Sequence, residues 1–156
     1  MARSLEFSCR LRSPPDEVRG WIRRPALFLH VAAPLVHFSP IGVDRFPDRW
    51  EEGEYRGAMR LFGLLPIGWQ AIVIEFPTSA DTDLVLRDRG YGPLLREWDH
   101  RIAVSPHGSG TRYVDRLTLD AGWLTPIAAF GVKQFFRHRQ RRLVALDQAA
   151  FAPLKG

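Results

Sequence analysis

The sequence predicts an α+β fold: a curved seven-stranded antiparallel sheet wrapped around a long C-terminal helix, with two short helices after the first strand. Three observations predict it. Between residues 36 and 120 the chain reads as short segments of alternating polarity separated by Pro- and Gly-containing turns, the pattern of antiparallel strands. Only the stretch from Thr125 to about residue 150 has helical periodicity long enough to cross such a sheet. A twisted sheet of this size curls, and its concave side has to be covered by another element.

The first strand is expected at about 3–12, where Leu5, Phe7, Cys9 and Leu11 alternate with polar residues. Ser13 is the expected N-cap of a helix over about 14–23, with Pro14 and Pro15 at its start and Asp16 and Glu17 in its first turn. A second short helix covers about 25–32 and is ended by Pro34. Strands follow at about 36–41, 52–62, 68–76, 83–90, 94–105 and 111–120. The segment SPHGSG, 105–110, marks a hairpin loop; GLLPIG, 63–68, marks another whose tip is apolar, as in loops that pack over something or touch a partner. In the final helix Thr125 is the expected N-cap and Pro126 the first helical residue, and a run to about 150 is about 37 Å long. Ala128, Val132, Phe135, Phe136, Leu143, Leu146 and Ala150 form its apolar stripe, with Lys133, Arg137 and Arg141 on the far side. One helical stripe is narrower than the sheet it covers, so an internal space is expected.

The 156 residues fit a single domain, 1–156, able to bury a core. A composition that is 46% hydrophobic and 25% charged is that of a water-soluble globule, and no apolar run approaches the roughly 18 residues of a membrane span. Charges interrupt MARSLEFSCRL, which therefore lacks the apolar centre of a secretory signal; the expected location is cytoplasmic. The single cysteine, Cys9, excludes an internal disulfide and reads as a small buried hydrophobe rather than a reactive thiol. A net charge of +5 permits peripheral contact with an anionic membrane without requiring it. The basic run RHRQRR, 137–142, reads first as a solvated helix face, and without interleaved exposed aromatics no nucleic acid is expected as a partner. His30, His37, His100, His107 and His138 form no metal-binding pattern, and there is no Gly-rich phosphate loop or Gly-x-Ser-x-Gly elbow, so neither metal nor cofactor is expected. Nothing in the sequence sets the oligomeric state.

The chemistry concentrates in REWDHRIAV, 96–104. Alternation puts Arg96, Trp98, His100, Ile102 and Val104 on the inner face. A loop over 105–110 pairs Val104 with Thr111, Ile102 with Tyr113, His100 with Asp115 and Trp98 with Leu117, so His100 and Asp115 become neighbours. Either they satisfy each other as a buried polar pair, or Asp115 orients His100 in a pocket where the imidazole anchors a ligand or acts as a general base. Arg139 falls in the middle of the apolar helix stripe. It needs a partner there: a salt bridge to Asp115 or Asp88, water reached by its stem, or the anionic or carbonyl head of a ligand. Candidate wall residues are Met59, Trp69, Leu86, Trp98, Tyr113, Leu117, Val132 and Phe135. On the strand at 68–76 either Trp69, Ala71 and Val73 or Ile72, Ile74 and Phe76 face inward; the first set is taken because it pairs naturally with Met59 and Leu61. Access is expected near 63–68 and 120–126, with Leu65 and Trp123 as a gate.

Three segments carry a resemblance: GPLLREWDHRIAV (92–104), GTRYVDRLTLDAG (110–122) and FFRHRQRRL (135–143). With the element order, they resemble the START/Bet v 1-like helix-grip superfamily, also labelled SRPBCC or polyketide cyclase-like. The resemblance implies a helix-grip fold and a small hydrophobic or amphipathic ligand, lipid, quinone or polyketide-like, held between sheet and C-terminal helix. Members of that superfamily share no catalytic motif, so none is carried over. Two other functions stay open. One is a cyclase- or dehydratase-type enzyme using His100 with Asp115; the other is an adaptor that meets a membrane or a protein through its basic C-terminal helix.

Overall fold

The computed structural model describes residues 1–78 and 83–155. The strands are β1 (Arg3–Leu11), β2 (Val36–Pro40), β3 (Gly53–Leu61), β4 (Leu65–Glu75), β5 (Leu84–Gly90), β6 (Glu97–His107) and β7 (Gly110–Asp120). The helices are α1 (Pro15–Ile22), α2 (Pro25–Ala32) and α3 (Thr125–Gln148), with short 3-10 turns at Gly122–Leu124 and Ala152–Leu154. The strands form one antiparallel sheet in the order β1-β7-β6-β5-β4-β3-β2. This is the helix-grip architecture: α3 lies across the concave face, and α1 and α2 close one end. Among the described residues no helix is long and apolar enough to cross a membrane.

Hydrophobic burial under α3 divides into two clusters. Val18, Ile22, Leu27, Ile72, Ile74, Leu86, Leu143 and Leu146 belong to one, which also draws in Trp50 and Phe151. Leu95, Leu117, Leu119, Ala129 and Phe136 belong to the other. Along α3, Arg139 and Gln140 sit between Phe136 and Leu143; along β7, Asp115 sits between Tyr113 and Leu117. The seam between the two apolar clusters is therefore polar. α3 packs chiefly on β1 and α2, so it covers the β1 side of the sheet more closely than the β4 side.

Three local expectations are corrected. The β6–β7 loop is only Gly108–Ser109, because His107 pairs with Gly110. Pro106, which has no N–H to donate, is tolerated since β5 ends its pairing at Ala103. The register therefore shifts by two: Val104 faces Tyr113, Ile102 faces Asp115, His100 faces Leu117 and Trp98 faces Leu119. An even shift keeps every side chain on its expected face.

The second correction concerns β3 and β4. Ala58 pairs with Trp69 and Arg60 with Pro66, so Met59 faces two residues, Ile67 and Gly68, and β4 bulges there with Gly68 at φ +100°. The extra residue reverses the alternation, and Gln70, Ile72 and Ile74 point inward instead of Trp69, Ala71 and Val73. At the β3–β4 tip, Phe62 (φ 53°) and Gly63 (φ 72°) form a tight left-handed turn closed by Leu64 N–H donating to the Leu61 carbonyl at 2.9 Å, so β4 begins at Leu65 rather than 68.

The third is capping. α1 starts at Pro15 with no side-chain cap; the Arg12 and Ser13 amides instead donate to the Asp147 carboxylate at 2.6 and 3.0 Å, tying the end of β1 to the end of α3. The Thr125 hydroxyl accepts from Ala121 N–H at 2.9 Å and donates to the Gly122 carbonyl at 2.6 Å, fixing the turn into α3 rather than capping it.

Candidate functional site

Between α3 and the β2–β6 part of the sheet lies a cavity of about 370 Å³. That is the lower range of small-molecule pockets. Its wall is mostly aliphatic and aromatic: Ile22, Leu27, Val31 and Phe28 at the α1–α2 end, Met59, Ile72, Ile74, Leu86, Trp98 and Ile102 from the sheet, Val132, Phe135 and Leu143 from α3. Polar side chains reach it from Gln70, Asp88, His100, Tyr113, Asp115, Arg139 and Gln140. Among the described residues no group of His, Cys, Asp and Glu is placed to hold a metal ion.

Of the residues singled out in the sequence, Met59, Leu86, Trp98, His100, Tyr113, Asp115, Val132, Phe135 and Arg139 line this cavity. Two do not. Trp69 is on the outer face, edge-on to Tyr91 (ring centroids 6.2 Å apart) with the Arg56 guanidinium 5.0 Å above its ring, because the bulge at Ile67–Gly68 turns it outward. Leu117 faces inward but is packed into the filled cluster with Leu119 and Phe136. Phe136 itself stacks on Phe7 at 5.4 Å and meets His100 edge-on at 5.0 Å.

His100 and Asp115 meet diagonally across the two-residue register shift, with His100 Nε2 2.7 Å from Asp115 Oδ1. The same carboxylate accepts from the Tyr113 hydroxyl at 2.9 Å and, through Oδ2, from the Gln140 amide at 3.1 Å. Burial alone would raise the Asp115 pKa; the His100 hydrogen bond, with Arg139 and Gln140, outweighs it and holds the carboxyl below its ordinary value. Burial pushes the His100 pKa down despite its carboxylate partner, so the ring is neutral. With Nε2–H donating to Asp115, the ring's lone pair is on Nδ1.

Of the three partners open to Arg139, the salt bridge to Asp115 or Asp88 does not form. Arg139 is only 7% exposed and its guanidinium lies 4.8 Å from the Phe136 ring centroid, but among the described residues it forms no ion pair, and Nε is buried without a partner. The reason is that both carboxylates are otherwise engaged. Asp115 is occupied by three donors, and Asp88 Oδ1 accepts from Val73 N–H at 2.8 Å with the Trp98 indole alongside. Burial drives the Asp88 pKa up to about 7, against the pull of the Val73 amide, the Arg139 charge and Trp98. Asp88 is half-buried and lines the cavity.

The basic run 137–142 is not the solvated face expected. Arg139 points into the cavity, His138 Nε2 contacts the Ala33 carbonyl at 2.9 Å, and Arg142 donates to the His30 carbonyl at 3.0 Å; Arg137 and Arg141 are exposed. Cys9 lies against α3 near Gln140 and Val144, and burial raises its thiol pKa to about 12, which makes it an inert packing residue.

The expected gate also moves. Trp123 and Leu65 are exposed and do not line the cavity; Phe62 and Leu94 do, while also reaching solvent, with Gly131 opposite on α3. A Cβ at Gly131 would meet nothing within 4 Å, so the helix leaves an opening there. The β3–β4 turn exposes Phe62 (64%) and Leu64 (83%), and Trp123 (87%) before α3 and Phe130 (68%) on it are exposed as well. Sequence reasoning missed Gln70, Asp88 as wall, Phe62, Leu94 and Gly131. A glycine inside a helix of otherwise good formers was the one available signal.

The sheet gripping one long helix is the START/Bet v 1-like fold, and solved structures agree. The ZhuI aromatase/cyclase from Streptomyces sp. R1128 superposes with a TM-score of 0.64 at 13% identity, covering 100% of this chain and 99% of that one. A START superfamily protein from Mycobacterium smegmatis gives 0.64 at 10% identity, covering 94% and 98%. Ara h 8.0201 gives 0.64 at 9% identity, covering 96% and 99%. Identities this low establish the fold alone. No curated protein matches the sequence. Residues 10–146 match the family model described as a domain of unknown function, DUF8410, and the chain belongs to that family.

Proposed function

We propose that the protein binds a small apolar or amphipathic molecule in this cavity, with the polar end of the molecule at Arg139. The observation that carries the reading is Arg139 itself: a buried cation that forms no ion pair among the described residues, opening on a largely apolar space large enough for a ligand. An anionic or carbonyl head placed there gives the guanidinium the acceptor it lacks. Native mass spectrometry of the freshly purified chain tests this. A stoichiometric small-molecule adduct that is lost on denaturation and depleted in Arg139→Met is expected. A clean mass, together with no binding of the apolar anion 1-anilinonaphthalene-8-sulfonate by the wild type, overturns it.

A second reading rests on the 2.7 Å His100–Asp115 contact at the cavity wall. His100 would act as a general base through Nδ1 in a cyclase- or dehydratase-type step on the bound molecule, with Asp115 orienting the ring. Turnover that survives His100→Ala removes this mechanism. Peripheral membrane contact, if the ligand arrives from lipid, belongs to the apolar mouth rather than to the basic run on α3. It requires that Phe62→Asp and Trp123→Asp weaken binding to anionic vesicles.

A further inference from the structure

We propose that Gln70 is a second polar contact of the cavity, distinct from Arg139, and that it holds a neutral carbonyl or hydroxyl group on the body of the ligand. The proposal rests on the cavity-binding reading above and adds what the ligand must carry. Gln70 is 5% exposed, lines the cavity, and among the described residues both its Nε2 and its Oε1 are buried without a partner. A buried amide left unpaired on both sides is rare, because each group forfeits the hydrogen bonds that it makes in water.

The surroundings hold the amide in this position. The bulge at Ile67–Gly68 turns residue 70, rather than Trp69, toward the interior. The amide then lies over two glycines on the neighbouring strand end. A Cβ at Gly92 would stand 2.6 Å from Gln70 Oε1, and one at Gly90 would stand 3.2 Å from both Gln70 Nε2 and Asp88 Oδ1. A Cβ at Gly90 would also run into the Ala71 carbonyl, and one at Gly92 would stand 2.6 Å from the Trp69 carbonyl, so both positions need glycine beside β4. The slot thus offers one donor, one acceptor and the Asp88 carboxyl beside them. This suits an uncharged oxygen that can accept from Nε2, and it does not suit a hydrocarbon tail. The ligand's oxygen supplies the partner that the amide lacks. With Arg139 at one point and Gln70 at another, the ligand is held at two places and its direction in the cavity is set.

The test compares two rigid probes of nearly the same shape, 9-fluorenone-2-carboxylate and fluorene-2-carboxylate. Both present a carboxylate to Arg139, and only the first has a ring carbonyl. Affinities of the full chain are measured by calorimetry. The wild type is expected to prefer the ketone by about 5- to 10-fold, the worth of one hydrogen bond. In Gln70→Leu that preference should vanish, with fluorene-2-carboxylate bound about as before. Equal affinities in the wild type, or a preference that persists in Gln70→Leu, overturn the assignment. A wild type that binds neither probe overturns the cavity reading and this inference together. The unliganded Gln70→Leu protein should melt no lower than the wild type; a clear drop in Tm means that the amide is already satisfied within the protein, and also overturns the proposal.

Discussion

On the side of the sheet made by β1, β7 and the adjoining part of β6, the space under α3 is filled. Phe7 stacks on Phe136, Leu117 and Leu119 are wholly buried, and the Asp115 carboxylate meets three donors. On the β5, β4 and β3 side the helix stands off. Among the described residues Gln70 has no partner, the Asp88 pKa is raised to about 7, and Gly131 leaves a gap in the helix face. Both sides are built from the same alternation of inward apolar residues, so hydrophobic pattern alone does not separate them. What separates them is where the single long helix sits. Over the near strands it completes a core; over the far strands it roofs a cavity, and the polar groups stranded there are a stability liability of the kind expected at a functional site.

The contrast is most exposed by adjacent phenylalanines on α3. Phe136→Ala, in the filled half, should cost about 3–5 kcal/mol in urea denaturation, since a fully buried ring leaves a void. Phe135→Ala, half-buried on the cavity wall, should cost less than half as much. Equal losses would mean that the two halves are packed alike. Next in size is Gly131→Phe, which puts a ring into the opening: binding of 1-anilinonaphthalene-8-sulfonate should fall more than about 10-fold while Tm holds or rises, because glycine inside a helix costs about 1 kcal/mol. Unchanged binding would place the route elsewhere.

A further contrast is a pH dependence. The Asp88 pKa is raised from 3.8 to about 7, so the folded state holds this proton more tightly than the unfolded state. Stability from Asp88 is therefore fully present below pH 3.8 and is lost as pH rises through 7. His100, its pKa lowered by burial, works in the opposite sense, losing stability as pH falls below its ordinary 6.5. The difference between Asp88→Asn and wild type isolates the first term. The variant should gain Tm relative to wild type above pH 7 and lose that advantage toward pH 4. A difference that is flat with pH would place Asp88 in contact with bulk water.

Most of the fold was legible because it follows from period and punctuation. Strand alternation, the proline and glycine turns and one long helical stripe gave every element to within about three residues. The His100–Asp115 pairing was legible for a weaker reason: the register was shifted by two, and an even shift spares the facing of side chains. Trp69 shows the limit. One extra residue at Ile67–Gly68 reverses everything after it on β4, and no local composition distinguishes a bulge from a regular glycine in a strand. Arg139 was anomalous on the helical wheel, but that its carboxylate neighbours are already occupied is a property of three strands meeting, and it could not be read from any one of them.

The sheet order places β1 beside β7, with Ser4 bonded to Thr118, 114 positions further along the chain. Of the seven strands of this sheet, the first to be made is thus the last to find its neighbour. Until β7 has emerged and turned back on β6, Arg3–Leu11 has a free edge on both sides, and the Asp147 carboxylate that anchors the Arg12 and Ser13 amides has not yet been made. Ring closure over so long a loop is slow compared with local hairpins. Folding should therefore run from the β6–β7 hairpin outward, with the N-terminal strand docking late. Deletion of β1 should leave a collapsed, aggregation-prone chain rather than a smaller native one.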